Sequence, residues 1–273
     1  DVLVGRTSYC PNVNAVVVGD ILSVNMEKVV SLKPDIVICV GFVEASTIEK
    51  MQKMGINVKS YKTPRSFDEM CRQTIEIGSL IGVADKAESI VKEERRRVEE
   101  LKKKVVKTQK RVLFQIGTRP MFSVVDNTYT QEFIDDLGLI NVSHTTMPSR
   151  EYVVSQNPDY VILTTMGGLY KEESKVWQKL IKARIIVVDE NMVCSPTPTN
   201  YRKSLEVLFD EIYGQFKDLL DGIQNKLKTH KLLAYSAFSD LIVVITEDDS
   251  DKSFTQLADA ALMLMQDTFF HYK

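Results

Sequence analysis

The sequence predicts an α/β fold: two lobes with parallel-type central sheets, joined by a long backbone helix. Strand and helix patterns alternate in both halves of the chain, which is typical of parallel sheets with crossover helices. A charged segment of helical periodicity, residues 83–107, separates the two alternating halves. The length of 273 residues is sufficient for two compact lobes.

The first half shows a regular alternation whose boundaries are marked by cap and turn residues. Asn25 suits a helix N-cap, and Pro34 ends that helix because proline cannot continue it. Gly55 suits the left-handed residue after a helix, and Ser66 with Glu69 forms a capping-box pattern. The predicted elements are a strand at 1–5, a polar loop at 6–15, a helix at 25–32, strands at 35–40 and 56–61, and helices at 44–54 and 66–81.

The segment 83–107 predicts one helix, roughly 35–40 Å long at 1.5 Å per residue. Glutamates precede arginine or lysine by four residues, as in Glu93 and Arg97, and these pairs favour a helix. Such a helix could span two lobes. The alternative is a solvated surface helix with one face on a core, and the charge run alone favours this alternative. The apolar stripe consists of Val83, Ala87, Ile90, Val91, Val98, Leu101 and Val105.

The alternation resumes after the charged segment. Asn157-Pro158-Asp159 precedes a buried strand, as Lys33-Pro34-Asp35 does in the first half. Because ligands bind outside the carboxyl ends of parallel strands, two such edges facing each other predict a cleft with a small-molecule site. The predicted elements are strands at 111–116, 159–163 and 184–188, loops at 117–121, 164–169 and 191–198, helices at 129–137, 151–156 and 174–181, and one or two helices at 200–228.

Composition excludes several classes of protein. The net charge of −2 gives no basic stripe for nucleic acid, so no nucleic-acid partner is expected. The four cysteines form no C-x-x-C pair and are too few for a disulfide framework, and Cys39 in an apolar run is expected to be a buried small hydrophobe. No apolar run is long enough to span a bilayer. No dinucleotide or phosphate-loop motif and no convincing catalytic triad is visible, so no catalysis, cofactor or metal is expected.

Several stretches carry a resemblance to a known family. They are VGRTSYCP (4–11), VNMEKVVSLKPDIVI (24–38), MGINV (54–58), RVLFQIGTRPMF (111–122), DDLGLINVS (135–143), SREYVVSQNPDYVIL (149–163) and the SPTP turn (195–198). In this order and spacing, the chain resembles the helical-backbone class of substrate-binding proteins of ABC importers, which carry cobalamin, siderophores and haem. The Thr-Ser-Tyr loop and the Phe-Gln-Ile-Gly strand end look most like the cobalamin-binding branch.

The resemblance implies a non-enzymatic function. The protein would capture a metal-chelate or corrinoid ligand (cobalamin, ferric siderophore or haem) between its lobes and deliver it to the permease subunits of an ABC transporter. It would act as a monomer in a periplasmic or extracytoplasmic location, with a membrane anchor on a missing N-terminal segment left open. Two alternatives also stay open: a metal chelatase-like tetrapyrrole enzyme, which needs a His/Glu pair in the cleft, and a ligand-free interaction module on the same fold.

The chain departs from the family pattern at both ends. Family members usually begin with a further strand and helix, and this chain carries about 50 residues after the usual end, including a strand at 240–245 and a helix at 254–265. The expected division is an N-terminal lobe at 1–82, the inter-lobe helix at 83–107, a C-terminal lobe at 108–228 and an additional segment at 229–273. This segment would either pack on the N-terminal lobe as a permuted first unit or be a separate appendage.

The resemblance places ligand contacts in the loops after the strands. Arginines suit an anionic chelate, and aromatic or thioether side chains suit a macrocycle. Packing within one lobe or surface ion pairing is the alternative for each residue. The expected ligand-binding residues are Arg6, Ser8, Tyr9, Phe42, Arg65, Thr118, Arg119, Met121, Phe122 and Met166.

Each lobe of the family also presents an acidic residue to arginines of the permease. Glu44 stands at this position in the first half, and Glu172 or Glu173 in the second. The alternative is simple helix-end electrostatics, because a glutamate is stabilised at a helix N-terminus by the helix dipole.

Overall fold

The computed structural model describes residues 3–10, 13–20, 23–41, 43–105, 108–229, 234–237 and 240–243. The chain divides into two compact units, Asp1–Leu205 and Glu206–Lys273, and each is described by itself. In the first unit, a long helix separates a first half from a second half. The finer division into lobes and linker stays a prediction.

The first half consists of short strands and helices in the predicted alternation. Its elements are β1 (Gly5–Thr7), β2 (Val16–Gly19), α1 (Met26–Ser31), β3 (Val37–Val40), α2 (Ala45–Lys53), β4 (Val58–Tyr61) and α3 (Phe67–Leu80). β1 pairs with β2 and β3 pairs with β4, each in parallel. The strand predicted at residues 1–5 is wrong in position, because β1 begins at Gly5, and β2 was not predicted.

Side-chain caps hold the helices of the first half where the sequence predicts them. The Asn25 side chain accepts a hydrogen bond from the Lys28 amide at 3.0 Å, and Ser66 accepts one from the Glu69 amide at 3.1 Å. Gly55 adopts a φ of 79°, as predicted for the residue that ends α2. Cys39 is buried in a core cluster with Val29 and Met51, which confirms its expected role as a small hydrophobe.

The charged segment forms one unbroken helix, α4 (Ala84–Lys102). With 19 residues it is about 28 Å long, so the predicted end at residue 107 is wrong. Ala87, Val91 and Val98 are buried, as the apolar stripe predicts. A β-carbon built on Gly78 would come within 2.4 Å of the Ala87 side chain, so α3 and α4 are in close contact there.

The second half contains the larger sheet. Its elements are β5 (Arg111–Thr118), β6 (Met121–Ser123), α5 (Tyr129–Asp136), β7 (Ile140–Asn141), α6 (Arg150–Gln156), β8 (Tyr160–Thr164), α7 (Tyr170–Leu180), β9 (Arg184–Val188), α8 (Glu190–Val193) and the start of α9 (Pro198–Thr229). The sheet order is β6-β5-β8-β9, with β7 also on β5. All of these pairings are parallel except that of β6.

Apolar runs explain why the central strands lie in the middle of this sheet. Val112, Leu113 and Phe114 of β5 and Val161 and Ile162 of β8 have no exposed surface, as expected for strands covered on both faces. The loop predicted at 117–121 is wrong: β5 continues to Thr118 and turns into β6. We call residues 111–123 the β5–β6 hairpin.

Two charged pairs, one of them buried, attach α4 to the second half. Arg202 of α9 donates to Glu94 at 2.8 Å, and both side chains are about nine-tenths buried. Burial alone would raise the pKa of Glu94, but bonds from Arg202 and Thr199 outweigh it and lower the pKa below its usual value. Lys102 pairs with Asp136 at 2.8 Å near the other end of α4. These contacts connect the helix to the second half at two points.

The described part of the second unit contains the rest of α9 and two further strands, β10 (Ala234–Ala237) and β11 (Asp240–Val243), which pair antiparallel in a two-stranded sheet. The strand predicted at 240–245 is confirmed as far as residue 243, and β10 was not predicted. The acidic loop at 246–250 and the helix at 254–265 lie outside the described residues. Packing of 229–273 on the N-terminal lobe stays a prediction.

The contact between α3 and α4 generates a matched pair of glycine substitutions. Gly78→Ala should destabilise the protein by about 1–3 kcal/mol, because the new methyl group overlaps Ala87 and the helices must separate. Gly214→Ala in α9 should be neutral or stabilise by about 0.5–1 kcal/mol, because a β-carbon there would meet no described atom within 4 Å apart from its chain neighbours and the backbone of its own helix, and alanine favours a helix. Urea unfolding measures both, and equal stability of the two variants would contradict the close contact.

Candidate ligand-binding site

A pocket of about 300 Å³ lies between the two halves of the first unit. The loop after β4 forms one wall, and the end of β5 with the start of α5 forms the other. The carboxyl ends of strands from both halves therefore meet at one hollow, as parallel sheets predict. The lining residues are Thr63, Pro64, Arg65, Ile116, Asn127, Thr128, Tyr129 and Thr130.

The exposed surface of the lining is mostly apolar, and Arg65 is the one charged residue among the described lining residues. Arg65 is exposed and its guanidinium makes no hydrogen bond or ion pair with another described residue. Three threonines, Thr63, Thr128 and Thr130, are among the lining residues, and none of the described lining residues is acidic. A free guanidinium beside apolar surface is suited to a large ligand that carries an oxygen-rich, anionic group.

A hydrogen bond fastens the two walls directly behind the pocket. The backbone amide of Phe67, the first residue of α3, donates to the Glu132 carboxylate of α5 at 2.5 Å. The unpaired amides at a helix N-terminus favour such an anion. Burial raises the pKa of Glu132; the hydrogen bond from Phe67 and the nearby charge of Lys102 oppose this, and the carboxylates of Asp136 and Asp135 add to it.

Aromatic rings continue this contact into the core. Phe67 lies 4.8 Å from the ring of Tyr201, and Tyr201 stacks on Phe133 at 4.4 Å. The Tyr201 hydroxyl donates to Asp136 at 2.8 Å, and burial raises the pKa of Tyr201 well above its usual value. α3, α5 and α9 are therefore joined by one buried stack.

Threonine hydroxyls connect the loops next to the second wall, which is the wall formed by the end of β5 and the start of α5. Thr164, at the end of β8, donates to the Ile116 carbonyl and accepts from the Met166 amide at 3.3 Å. Thr165 accepts from the Glu190 amide at 3.0 Å and so links the β8 loop to α8. These bonds hold three neighbouring loops in one arrangement.

Tyr129 and Cys194 extend the second wall inward. The Tyr129 hydroxyl donates to the Val193 carbonyl at 3.1 Å, which attaches the start of α5 to α8. Burial raises the pKa of Tyr129, and the nearby Cys194 thiol adds to this. Burial also raises the pKa of Cys194 to about 11, so the thiol is protonated at neutral pH.

Among the predicted ligand residues of the first half that the structure describes, Arg65 lines the pocket and the others do not. Arg6 donates to the carbonyls of Thr7 at 3.1 Å and Cys10 at 2.9 Å, so its guanidinium holds its own loop. Ser8 and Tyr9 are exposed on the same loop and do not line the pocket. Phe42 lies outside the described residues.

The predicted ligand residues of the second half lie beside the pocket. Thr118, Arg119 and Phe122 are on the β5–β6 hairpin, which continues from the lining residue Ile116, and Arg119 and Phe122 are exposed. The Met121 side chain is partly buried and packs against the core cluster around Trp177. Met166 is half-buried in the loop after β8.

One predicted permease-docking residue is corrected by its burial. Glu173 is only 4% exposed and pairs with Arg150 at 2.7 Å, so it cannot present its charge to a partner. Glu172 is exposed in the first turn of α7, and Glu44 is exposed at the N-cap of α2. These two residues stay the predicted docking acids.

Sequence reasoning missed the wall formed by Asn127, Thr128, Tyr129 and Thr130. A signal was present, because Thr128 is an N-cap whose hydroxyl accepts from the Gln131 amide at 3.2 Å, and Asn127 precedes it with a φ of 62°. The helix start was identified, but its proximity to the loop after β4 depends on contacts between the two halves. His144 pairs with Asp126 at 3.2 Å on the surface, and no three metal-ligating side chains cluster among the residues described.

The chain belongs to the periplasmic binding protein family, which it matches over residues 4–186. This range includes every residue of the pocket lining. Within the described part of the chain, the helices are too short or too polar to cross a membrane.

Two known proteins are similar to the chain in sequence. A cobalamin-binding protein of Halobacterium salinarum is 28% identical over 194 residues, which cover 64% of this chain and 52% of that protein. An uncharacterized ABC transporter substrate-binding lipoprotein of Bacillus subtilis, YvrC, is 28% identical over 214 residues, covering 72% of this chain and 67% of that protein. The chain thus spans about half the length of the cobalamin-binding relative.

Solved structures agree on the fold. A periplasmic haem-binding protein from Pseudomonas aeruginosa has a TM-score of 0.68 to this chain at 18% identity, over 78% of this chain and 85% of that one. The likeness confirms the predicted α/β fold of substrate-binding proteins.

The burial of Glu132 between the two walls generates a pH prediction. Because burial raises the pKa of Glu132 above its ordinary value of 4.5, its contribution to stability is complete below that value and is lost as pH rises through the raised pKa. Glu132→Gln keeps an oxygen acceptor and cannot ionise. Wild type should therefore lose stability relative to Glu132→Gln as pH rises from 4.5 to neutral. Urea unfolding at several pH values measures this, and a pH-independent difference would contradict the assignment.

Proposed function

We propose that the protein is the substrate-binding component of an ABC import system. It captures a cobalamin, ferric siderophore or haem type ligand between its two lobes and delivers it to a membrane permease. The pocket between the loop after β4 and the start of α5 carries this proposal, because it joins the strand ends of both halves around a free arginine. Family membership and the names of the two relatives support it.

Binding would use charge at the centre and apolar surface at the edge. Arg65 would pair with oxygen acceptors of the ligand, and threonine hydroxyls would accept or donate beside it. Arg119 and the exposed ring of Phe122 on the β5–β6 hairpin would contact the outer part of a large planar ligand. The chelatase alternative needs a His/Glu pair, and the described pocket lining contains neither residue type.

Ligand capture should involve only a small closure. α4 is continuous and is attached to α9 through Glu94 and Arg202, while Phe67 and Glu132 join the walls at the base of the pocket. A helical connection bends less readily than a loop hinge. The protein would act as a monomer outside the cytoplasm, where the family operates, and its partners would be the ligand and the permease.

Titration with cyanocobalamin, haemin and a ferric hydroxamate siderophore tests the proposal by isothermal calorimetry. One of these probes should bind with one-to-one stoichiometry. Arg65→Ala should weaken that binding by about 1.5–3 kcal/mol, the range for a hydrogen bond to a charged group. Lys62→Ala removes the same charge from an exposed residue outside the lining and should have no effect. Failure of all three probes to bind would contradict the proposed function.

Charge reversal tests delivery to the permease. Glu44→Lys and Glu172→Lys should each slow docking to an importer in membrane vesicles by about tenfold, because rim charges act mainly on association. Ligand affinity should not change. Glu49→Lys on α2 and Glu151→Lys on α6 are matched controls at exposed positions. Docking that is equally weak in the controls, or unchanged in all variants, would remove these assignments.

A further inference from the structure

The β5–β6 hairpin contains a β-bulge at the pocket. Gln115 pairs with Ser123 and Gly117 pairs with Phe122, so Ile116 is an extra residue on β5. Bulges redirect a side chain at the edge of a sheet, and here Ile116 becomes part of the pocket lining. The position of this residue therefore depends on what stabilises the bulge.

Two buried side chains bind the carbonyl groups of the bulge. Thr164 donates its hydroxyl to the Ile116 carbonyl, and the side-chain nitrogen of Gln115 donates to the Gly117 carbonyl at 3.0 Å. Thr164 is 2% exposed and Gln115 is 1% exposed, so water does not replace these donors.

The amide of Gln115 is itself held in one orientation. The indole nitrogen of Trp177, which can only donate, lies 2.8 Å from Oε1 of Gln115. Nε2 of Gln115 therefore faces the Gly117 carbonyl and also donates to the Glu173 carboxylate at 2.9 Å. A flipped amide would place Nε2 against the indole N–H and an oxygen against the carboxylate.

Glu173 is fixed from its other side. Arg150 pairs with it at 2.7 Å and also lies 5.0 Å from the centre of the Trp177 ring. The buried carboxylate thus has two donors, the Arg150 guanidinium and the Gln115 amide. Buried polar networks of this kind hold their members in a single arrangement.

We propose that Gln115 is a positioning residue for the ligand pocket. It holds the bulge that places Ile116 in the lining, and through the Gly117 carbonyl it sets the direction of the hairpin turn that carries Arg119. This inference rests on the proposed function for its consequence on ligand affinity, while its effect on the hairpin is independent of any ligand.

An apolar residue of similar shape would serve equally well if Gln115 had only to fill the core, since buried polar groups contribute little net stability over apolar ones. The positioning role instead requires the donor to Gly117. Gln115→Met separates these two requirements, because methionine keeps the volume and lacks the donor. Val29→Ala, in the core cluster of the first half, is the control for a general loss of stability.

Hydrogen exchange of the backbone amides at residues 117–119, 121 and 122 measures positioning directly; residue 120 is a proline and has no amide proton. In Gln115→Met these amides should exchange at least about tenfold faster than in Val29→Ala, because the bulge opens locally. Trp177→Phe removes the donor that orients Gln115 and should raise the exchange rate of the same amides. This variant tests the positioning role if Gln115→Met does not fold. Hairpin exchange equal to that of Val29→Ala would overturn the proposal.

Binding of cyanocobalamin, haemin or the ferric hydroxamate measures the consequence for the pocket. With whichever probe binds wild type, Gln115→Met should lower affinity by about tenfold or more, as small misplacements of a site residue do. Affinity equal to that of Val29→Ala would overturn the role in ligand binding. If no probe binds wild type, the proposed function fails, and the exchange experiment still supports or overturns the positioning of the hairpin.

Discussion

The contact between the α3 N-terminus and Glu132 is the constraint on which the site depends. It joins the loop after β4 to α5 at the base of the pocket, and the stack of Phe67, Tyr201 and Phe133 supports it from within. A helix N-terminus attracts a carboxylate through its unpaired amides, so the contact forms between two halves that share few other described polar bonds near the pocket. The geometry of the pocket follows from this one anchoring point.

The second wall is organised in a different way. Hydroxyl and amide side chains at strand ends bind the backbone of neighbouring loops, as Thr164 binds Ile116 and Met166. Each loop is short, and its direction is set by a side chain of another strand rather than by its own sequence. A binding site on such loops is preorganised, so less ordering is needed when a ligand enters. The network around Gln115 is the most deeply buried example.

Much of the fold could be predicted because it follows from local physics. The caps at Asn25 and Ser66, the proline and asparagine stops before β3 and β8, and the apolar stripe of α4 all depend on neighbouring residues in the chain. Strand positions at the edges were harder, because β1, β2 and β6 are only three or four residues long and show no alternation of apolar and polar residues. The hairpin turn after Thr118 was taken for a loop since its proline and arginine are typical of one.

The site was predicted less completely, for a physical reason. Arg65 was identified because it follows a strand, but whether an arginine is free or bound depends on carbonyl groups that the sequence does not place, as Arg6 shows. Likewise Glu172 and Glu173 are adjacent, and only the helix packing decides that the second is buried against Arg150. The wall at residues 127–130 could not be predicted, because the sequence does not show which loop of the first half lies opposite it.

Trp177 is the single tryptophan of the chain, has no exposed surface, and donates its indole N–H within the network that holds the hairpin. Its ultraviolet emission therefore arises from one buried environment in the second half. A red shift of that emission during denaturation would mark the moment at which water enters this core. The emission of Trp177 thus reports, without any added label, whether the core of the second half is folded. It does not report on the strands of the first half.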